Sequence, residues 1–120
     1  MFPENLLVVD DNELLLYGIK RSLEKDFSRV EAVNTGEKAL SHILNDFYRY
    51  IILDINLPDI NGIRMLEKIK KSSPKSSVVM ITSYADEETK QAAISSGALA
   101  VFEKPVDLGA LKNAFLDTSF

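Results

Sequence analysis

Short apolar runs rich in β-branched residues alternate with longer amphipathic segments along the whole chain, and few folds accept that pattern. A strand, a crossover helix and a second strand make a βαβ unit, and repeating the unit gives a parallel sheet with helices on its faces. Five strands are expected, over residues 5–10, 29–33, 50–54, 77–82 and 100–103. Three of them hold continuously apolar stretches: Leu6-Leu7-Val8-Val9, Ile51-Ile52-Leu53 and Val78-Val79-Met80-Ile81. A strand of that kind is covered on both faces, whereas a half-exposed strand alternates apolar with polar residues.

Five helices are expected, over residues 12–25, 35–46, 61–71, 86–95 and 107–117. Leu15, Leu16, Ile19 and Leu23 share one face of the first; Ala39, Leu40 and Ile43, with Phe47 just beyond, share one face of the second. Ile63, Leu66 and Ile69 mark the third, whose other side is basic and includes Lys68, Lys70 and Lys71 as a solvated face. Leu108, Leu111 and Phe115 mark the fifth. The fourth has mainly Ala85, Ala92, Ala93 and Ile94 to bury. At roughly 25 cal/mol per Å² of apolar surface it gains little from the core, and it is expected to be the loosest helix. Turn residues fall at the boundaries: Pro58 with Asn61-Gly62, Ser72-Ser73-Pro74, and Ser96-Gly97.

With 120 residues, 46% of them hydrophobic, the chain has material for one core, so a single domain over 1–120 is expected and any output domain would lie outside it. The net charge of −4 argues against direct binding to nucleic acid. Having no cysteine excludes disulfides, thiolate metal sites and cysteine nucleophiles, and suits a reducing cytoplasm. The single histidine, His42, is too few for a histidine zinc site and reads as a partly exposed helix residue. No stretch is apolar over a membrane-spanning length, and Met1-Phe2-Pro3-Glu4-Asn5 lacks the basic start of a signal peptide.

In an open parallel sheet, ligands bind at the carboxyl ends of the strands. The first strand ends in Asp10-Asp11, the third in Asp54, the fourth in Thr82-Ser83, and the fifth runs into Lys104-Pro105. Three carboxylates on one rim repel each other and call for a cation. Oxygen ligands without nearby histidine or cysteine favour Mg²⁺ over zinc. A carboxylate can attack phosphorus to give an aspartyl phosphate, and Asp54, at the end of the central apolar strand, is the best placed to do so. Asp10 and Asp11 would then hold the metal, with Lys104 and the metal gripping the phosphoryl oxygens.

These residues, in this order, resemble the response regulator receiver domain of two-component signalling. The resemblance is carried by Val8-Val9-Asp10-Asp11, by Ile51-Ile52-Leu53-Asp54 with Leu57-Pro58 and Asn61-Gly62, by Ile81-Thr82-Ser83, and by Gly97-Ala98 ahead of Lys104-Pro105. It implies a three-layer flavodoxin-like α/β fold, (βα)5, doubly wound, with five parallel strands in the order 2-1-3-4-5. It implies a phosphoacceptor switch, not a turnover enzyme, with Asp54 phosphorylated by a sensor histidine kinase, a phosphotransfer protein or a small phosphodonor. Mg²⁺ would be bound directly by Asp11, Asp54 and the backbone carbonyl of Asn56, and by Asp10 through water. Thr82 and Lys104 would bind the phosphoryl oxygens, and the Lys104-Pro105 bond would be cis. An output domain or partner would read the face formed by the fourth helix, fifth strand and fifth helix, and a phosphorylation-dependent dimer is compatible with this scheme. Asn56 and Tyr84 flank the site at positions that tune hydrolysis of the phosphoaspartate. One departure concerns the switch: Val101 stands where the family usually has Tyr or Phe, while Phe102 faces the other side of its strand.

Other readings compete residue by residue. Asp10-Asp11 alone could cap the first helix, Thr82 could serve a turn, Lys104 could be an ordinary surface cation and Pro105 could simply end a strand; the joint placement favours the site. A haloacid dehalogenase-type phosphohydrolase also forms an aspartyl phosphate, but needs an acid two residues after the nucleophile, where this chain has Asn56. A flavodoxin-like cofactor binder needs a phosphate-cradling loop where this chain has Asp10-Asp11-Asn12-Glu13. A pseudo-receiver that only binds partners would have no use for a complete set of acids, Thr and Lys.

Overall fold

The computed structural model describes residues 2–116. Its elements run β1 (Phe2–Val9), α1 (Glu13–Leu23), β2 (Phe27–Val33), α2 (Gly36–Asn45), β3 (Tyr50–Asp54), α3 (Gly62–Ser72), β4 (Ser77–Thr82), α4 (Glu87–Ser95), β5 (Ala100–Glu103) and α5 (Leu108–Leu116). All strand pairs are parallel, in the order β2-β1-β3-β4-β5. The ends of the expected 1–120 span, and Asp117 of the expected fifth helix, lie outside the described residues. No helix among the described residues is long and apolar enough to cross a membrane.

Alternation along the strands divides the interior in two. Leu7, Val9, Ile51, Leu53, Val78 and Met80 face α2, α3 and α4, where they meet Ala39, Ile43, Met65, Leu66, Ile69 and Ala93. Leu6, Val8, Ile52, Val79 and Ile81 face the other way, onto Leu16, Ile19 and Leu23 of α1 and Leu111 and Phe115 of α5. At the amino ends of the strands this second layer is aromatic. Phe2 stacks on Phe27 at 4.4 Å, and Tyr50 meets Phe2 at 5.1 Å and Phe115 at 5.0 Å. Such pairs contribute about 0.5–1.5 kcal/mol each beyond simple burial.

That aromatic contact explains why β1 and β2 begin earlier than expected. Phe2 pairs with Phe27, and its N–H donates to Asp26 O, after which a register irregularity carries the strand past Pro3 and Glu4 to Asn5. Helix ends follow side-chain caps. Asn12, Thr35, Asn61 and Asp86 each accept a backbone N–H from the first turn of α1, α2, α3 and α4. Phe47, expected near the buried face of the second helix, is 44% exposed because α2 stops at Asn45 and Asp46 is extended; Tyr48 is buried instead. Ile94 is likewise exposed, leaving Ala93 as the one buried side chain of α4. One methyl group is worth roughly 0.8 kcal/mol, so the fully buried face of this helix contributes little. Lys70 is more than a solvated cation, since its Nζ donates to Pro74 O at 3.0 Å and Ser76 O at 2.7 Å.

Two glycines are required by the path of the chain. Gly97 ends α4 with φ of 111°, a conformation side chains disfavour. Gly62 starts α3 so close to β3 that an added Cβ would lie 2.4 Å from Ile55 Cα and 2.7 Å from Asp54 O. Gly18, by contrast, sits mid-helix in α1 with nothing within 4 Å of an added Cβ. Gly18→Ala is expected to stabilise the protein by about 0.5–1 kcal/mol through helix propensity. Gly62→Ala should destabilise it by roughly 2 kcal/mol or more through overpacking. Thermal unfolding of both variants checks the opposite signs.

Candidate functional site

The carboxyl ends of β1, β3 and β4, with the segment leaving β5, bring the expected polar residues to one rim. Asp10 follows β1, and its N–H still donates to Val33 O, so its side chain is fixed at the mouth of the sheet and is fully buried. Asp54 is the last residue of β3, pairs with Ile81 across the ladder, and is 2% exposed. Asp11 remains exposed. One carboxylate oxygen from each of Asp10, Asp11 and Asp54 lies within 4.8 Å of the other two.

Capping of α1 falls to Asn12, whose Oδ1 accepts from Leu15 N, so neither aspartate is occupied in that role. Asp10 Oδ1 accepts from Asn12 N at 2.8 Å, and Asp54 Oδ1 from Asn56 N at 3.1 Å. Their other oxygens face Lys104, whose Nζ lies 2.9 Å from Asp10 Oδ2 and 3.4 Å from Asp54 Oδ2. Even so, Asp10 Oδ2 is buried without an aligned hydrogen bond. Burial works against the Lys104 ammonium, but Asp10 and Asp54 outweigh it and hold its pKa above the ordinary lysine value. Three converging carboxylate oxygens with a single ammonium beside them are an arrangement that a hard divalent cation fits. Asn56, at the start of the β3–α3 loop, places its backbone next to this cluster.

Thr82 ends β4 beside the cluster, and its carbonyl accepts from Lys104 N at 2.8 Å. Its hydroxyl turns to the β4–α4 loop, accepting from Tyr84 N at 3.3 Å and donating to Tyr84 O at 3.2 Å. The Lys104-Pro105 bond is cis, as the resemblance implied. Val101 packs against the layer of α2, α3 and α4, and Phe102 against the layer of α1 and α5. His42 stands apart, half-buried on α2, with Nδ1 2.9 Å from Lys38 O.

The family model for the response regulator receiver domain matches residues 6–116. The chain belongs to the response regulator receiver domain family. Among relatives, this receiver domain is 30% identical over 112 residues to the photosynthetic apparatus regulatory protein RegA of Rhodobacter capsulatus, covering 93% of this chain and 61% of RegA. It spans 24% and 23% of two other relatives, the regulators ZraR of Klebsiella oxytoca and AtoC of Escherichia coli. A receiver domain structure from Methanospirillum hungatei superposes with a TM-score of 0.88 at 32% identity, over 97% of this chain and 96% of that one. A response regulator from Burkholderia pseudomallei, solved with a phosphorylated aspartic acid, a calcium ion and citrate, gives 0.87 at 25% identity, over 92% of this chain and 65% of that one. The receiver domain thus has the flavodoxin-like fold of its relatives, and the haloacid dehalogenase alternative has no support.

Two contributors to the rim escaped the sequence reading. Glu103 Oε1 accepts from Ala85 N at 3.1 Å, tying the end of β5 to the β4–α4 loop, and Asp59 in the β3–α3 loop accepts from the start of α2. These three bonds join residues distant in sequence, and the one signal for either acid is its place beside a motif residue.

Burial raises the Asp54 carboxyl to about 6; the Asn56 N–H opposes the rise, Asp10 adds to it and Lys104 opposes it. Asp54 in the folded metal-free protein therefore keeps its proton to higher pH than in the unfolded chain, and its own contribution to stability is lost as pH rises from about 4 through about 6. Asp54→Asn cannot ionise and is expected to exceed wild type at pH 7 by about 1–3 kcal/mol, the gap closing below about pH 4. Denaturant unfolding at both pH values, with divalent cations removed, checks this; a gap independent of pH would contradict it.

Proposed function

We propose that Asp54 is the phosphoacceptor of this receiver domain and that Asp10, Asp11, Asp54 and the Asn56 carbonyl form its Mg²⁺ site, Asp10 acting through water. The observation that carries the reading is the meeting of three acids and one lysine at the carboxyl edge of the sheet. It is supported by the phosphorylated aspartate and calcium ion in the Burkholderia relative. Bound Mg²⁺ would supply charge neutralisation for the carboxylates and the incoming phosphoryl oxygens.

An Asp54 oxygen attacks phosphorus of a phosphohistidine or acyl phosphate, a P–O bond to the aspartate forms, and the donor's P–N or P–O bond breaks, its electron pair leaving with the donor. Lys104 moves its ammonium from carboxylate to phosphoryl oxygen, and Thr82 rotates its hydroxyl from Tyr84 toward the same group. The β4–α4 loop follows Thr82, and Glu103 carries the movement into β5 through Ala85. This route needs no aromatic at position 101.

A phosphodonor protein would approach the cleft between α1 and α5, which has a volume of about 440 Å³ and borders the site through Asn12 and Pro105. Leu14, 88% exposed at its edge, offers an apolar anchor for a sensor kinase or phosphotransfer protein. The face of α4, β5 and α5 would be read by an output domain or partner. We read residues 1–120 as one such domain, working in the cytoplasm, assisting its own phosphorylation and dephosphorylation without turning over an external substrate.

Incubation with acetyl phosphate and Mg²⁺ should add one phosphoryl group by intact-mass analysis; Asp54→Ala or chelation with EDTA should abolish it. Sustained turnover of generic phosphate esters would instead revive the phosphohydrolase reading. In amide exchange, α4 is expected to change protection when beryllofluoride mimics the phosphoryl group, and equal protection in both states would count against the proposed route.

A further inference from the structure

The loop between β3 and α3, residues 55–61, is closed at its base. Gly62 N donates to Ile55 O at 2.7 Å, Asn56 and Asn61 form an isolated bridge, and the Gly62 backbone lies against Asp54 and Ile55. Its tip is held from a different part of the chain. Asp59 Oδ1 accepts from Gly36 N and Oδ2 from Glu37 N, each at 2.9 Å, so one carboxylate caps the first two N–H groups of α2. Thr35, the local cap, takes only Lys38 N. A carboxylate on a helix N-terminus makes charge-assisted bonds and meets the positive end of the helix dipole. In agreement, the Gly36 and Glu37 N–H groups hold the Asp59 carboxyl below the ordinary range despite some opposing desolvation.

Packing closes the same contact. A Cβ on Gly36 would lie 2.3 Å from Ile60 Cγ2, so α2 and the loop tip touch where any side chain would part them. Leu57 and Ile60 lie against the core of that layer. The tip therefore has apolar packing, and Asp59 supplies its directional restraint. Both Asp59 oxygens are occupied, and Asp59 is not one of the three converging acids.

We propose that Asp59, by clamping the tip of this loop to the start of α2, positions the Asn56 carbonyl and thereby sets the affinity of the site for Mg²⁺. This rests on the metal-site reading given under the proposed function. Mg²⁺ tolerates little departure from octahedral geometry, so a backbone ligand on a loosened loop loses affinity even when every side-chain ligand remains. Asp59 is thus a positioning residue, acting on the ion through the loop.

The test is Mg²⁺ titration by calorimetry of wild type, Asp59→Ala and Asp59→Asn, together with acetyl phosphate phosphorylation rates across Mg²⁺ concentrations. Asp59→Ala is expected to raise the half-saturating Mg²⁺ on the order of tenfold. Asp59→Asn, which keeps one acceptor oxygen, should fall between it and wild type and carries the test if the alanine variant unfolds. The rate at saturating Mg²⁺ should stay within roughly twofold of wild type, as expected for lost positioning and not lost chemistry. A merely structural role would lower the unfolding temperature and leave the half-saturation unmoved, and that result overturns the proposal. Wild type failing to bind Mg²⁺ at all would overturn the metal-site reading and the clamp with it.

Discussion

Lys104 holds Asp10 and Asp54 together at the ends of neighbouring strands, and the site depends on how incompletely one ammonium satisfies two buried acids. A fully neutralised cluster would be inert, and an unpaired one would be too costly to fold. The intermediate state leaves Asp10 Oδ2 facing Lys104 without an aligned hydrogen bond and the Asp54 carboxyl raised to about 6. In the proposed function a divalent cation would relieve both conditions, and a phosphoryl group would offer the lysine a further anionic partner.

The two sides of the sheet are built for different work. On one side, α1 and α5 clasp an aromatic cluster far from the rim, made of Phe2, Phe27, Tyr50 and Phe115. On the other, α4 buries a single alanine, and its approach to the site runs through Thr82, Tyr84, Ala85 and Glu103. Local stability varies in this way wherever a protein must move one element and keep the rest fixed.

Much of this was legible in the sequence because it follows from local rules. Short apolar runs placed β3, β4 and β5 at their observed bounds, and strand-end acids marked the rim. The strand order came from the family resemblance and agrees with the observed sheet. What escaped notice depends on contacts between distant segments. Phe2 and Phe27 extend two strands by stacking on each other, Phe47 is turned outward by the extended residue before it, and Ile94 lies on the exposed side of α4. The two Asp59 bonds span 23 and 22 residues and the Glu103 bond 18, and they leave no periodic trace.

The aromatic cluster has a further consequence. It sits at the amino ends of the strands, opposite the chemistry, so the cohesion of the molecule is stored where no phosphoryl group, metal or partner at the rim needs to reach. Substitutions around Asn56, Tyr84 or Val101 would then leave that cluster untouched. A lineage carrying this scaffold is free to retune one end because the other end keeps it intact.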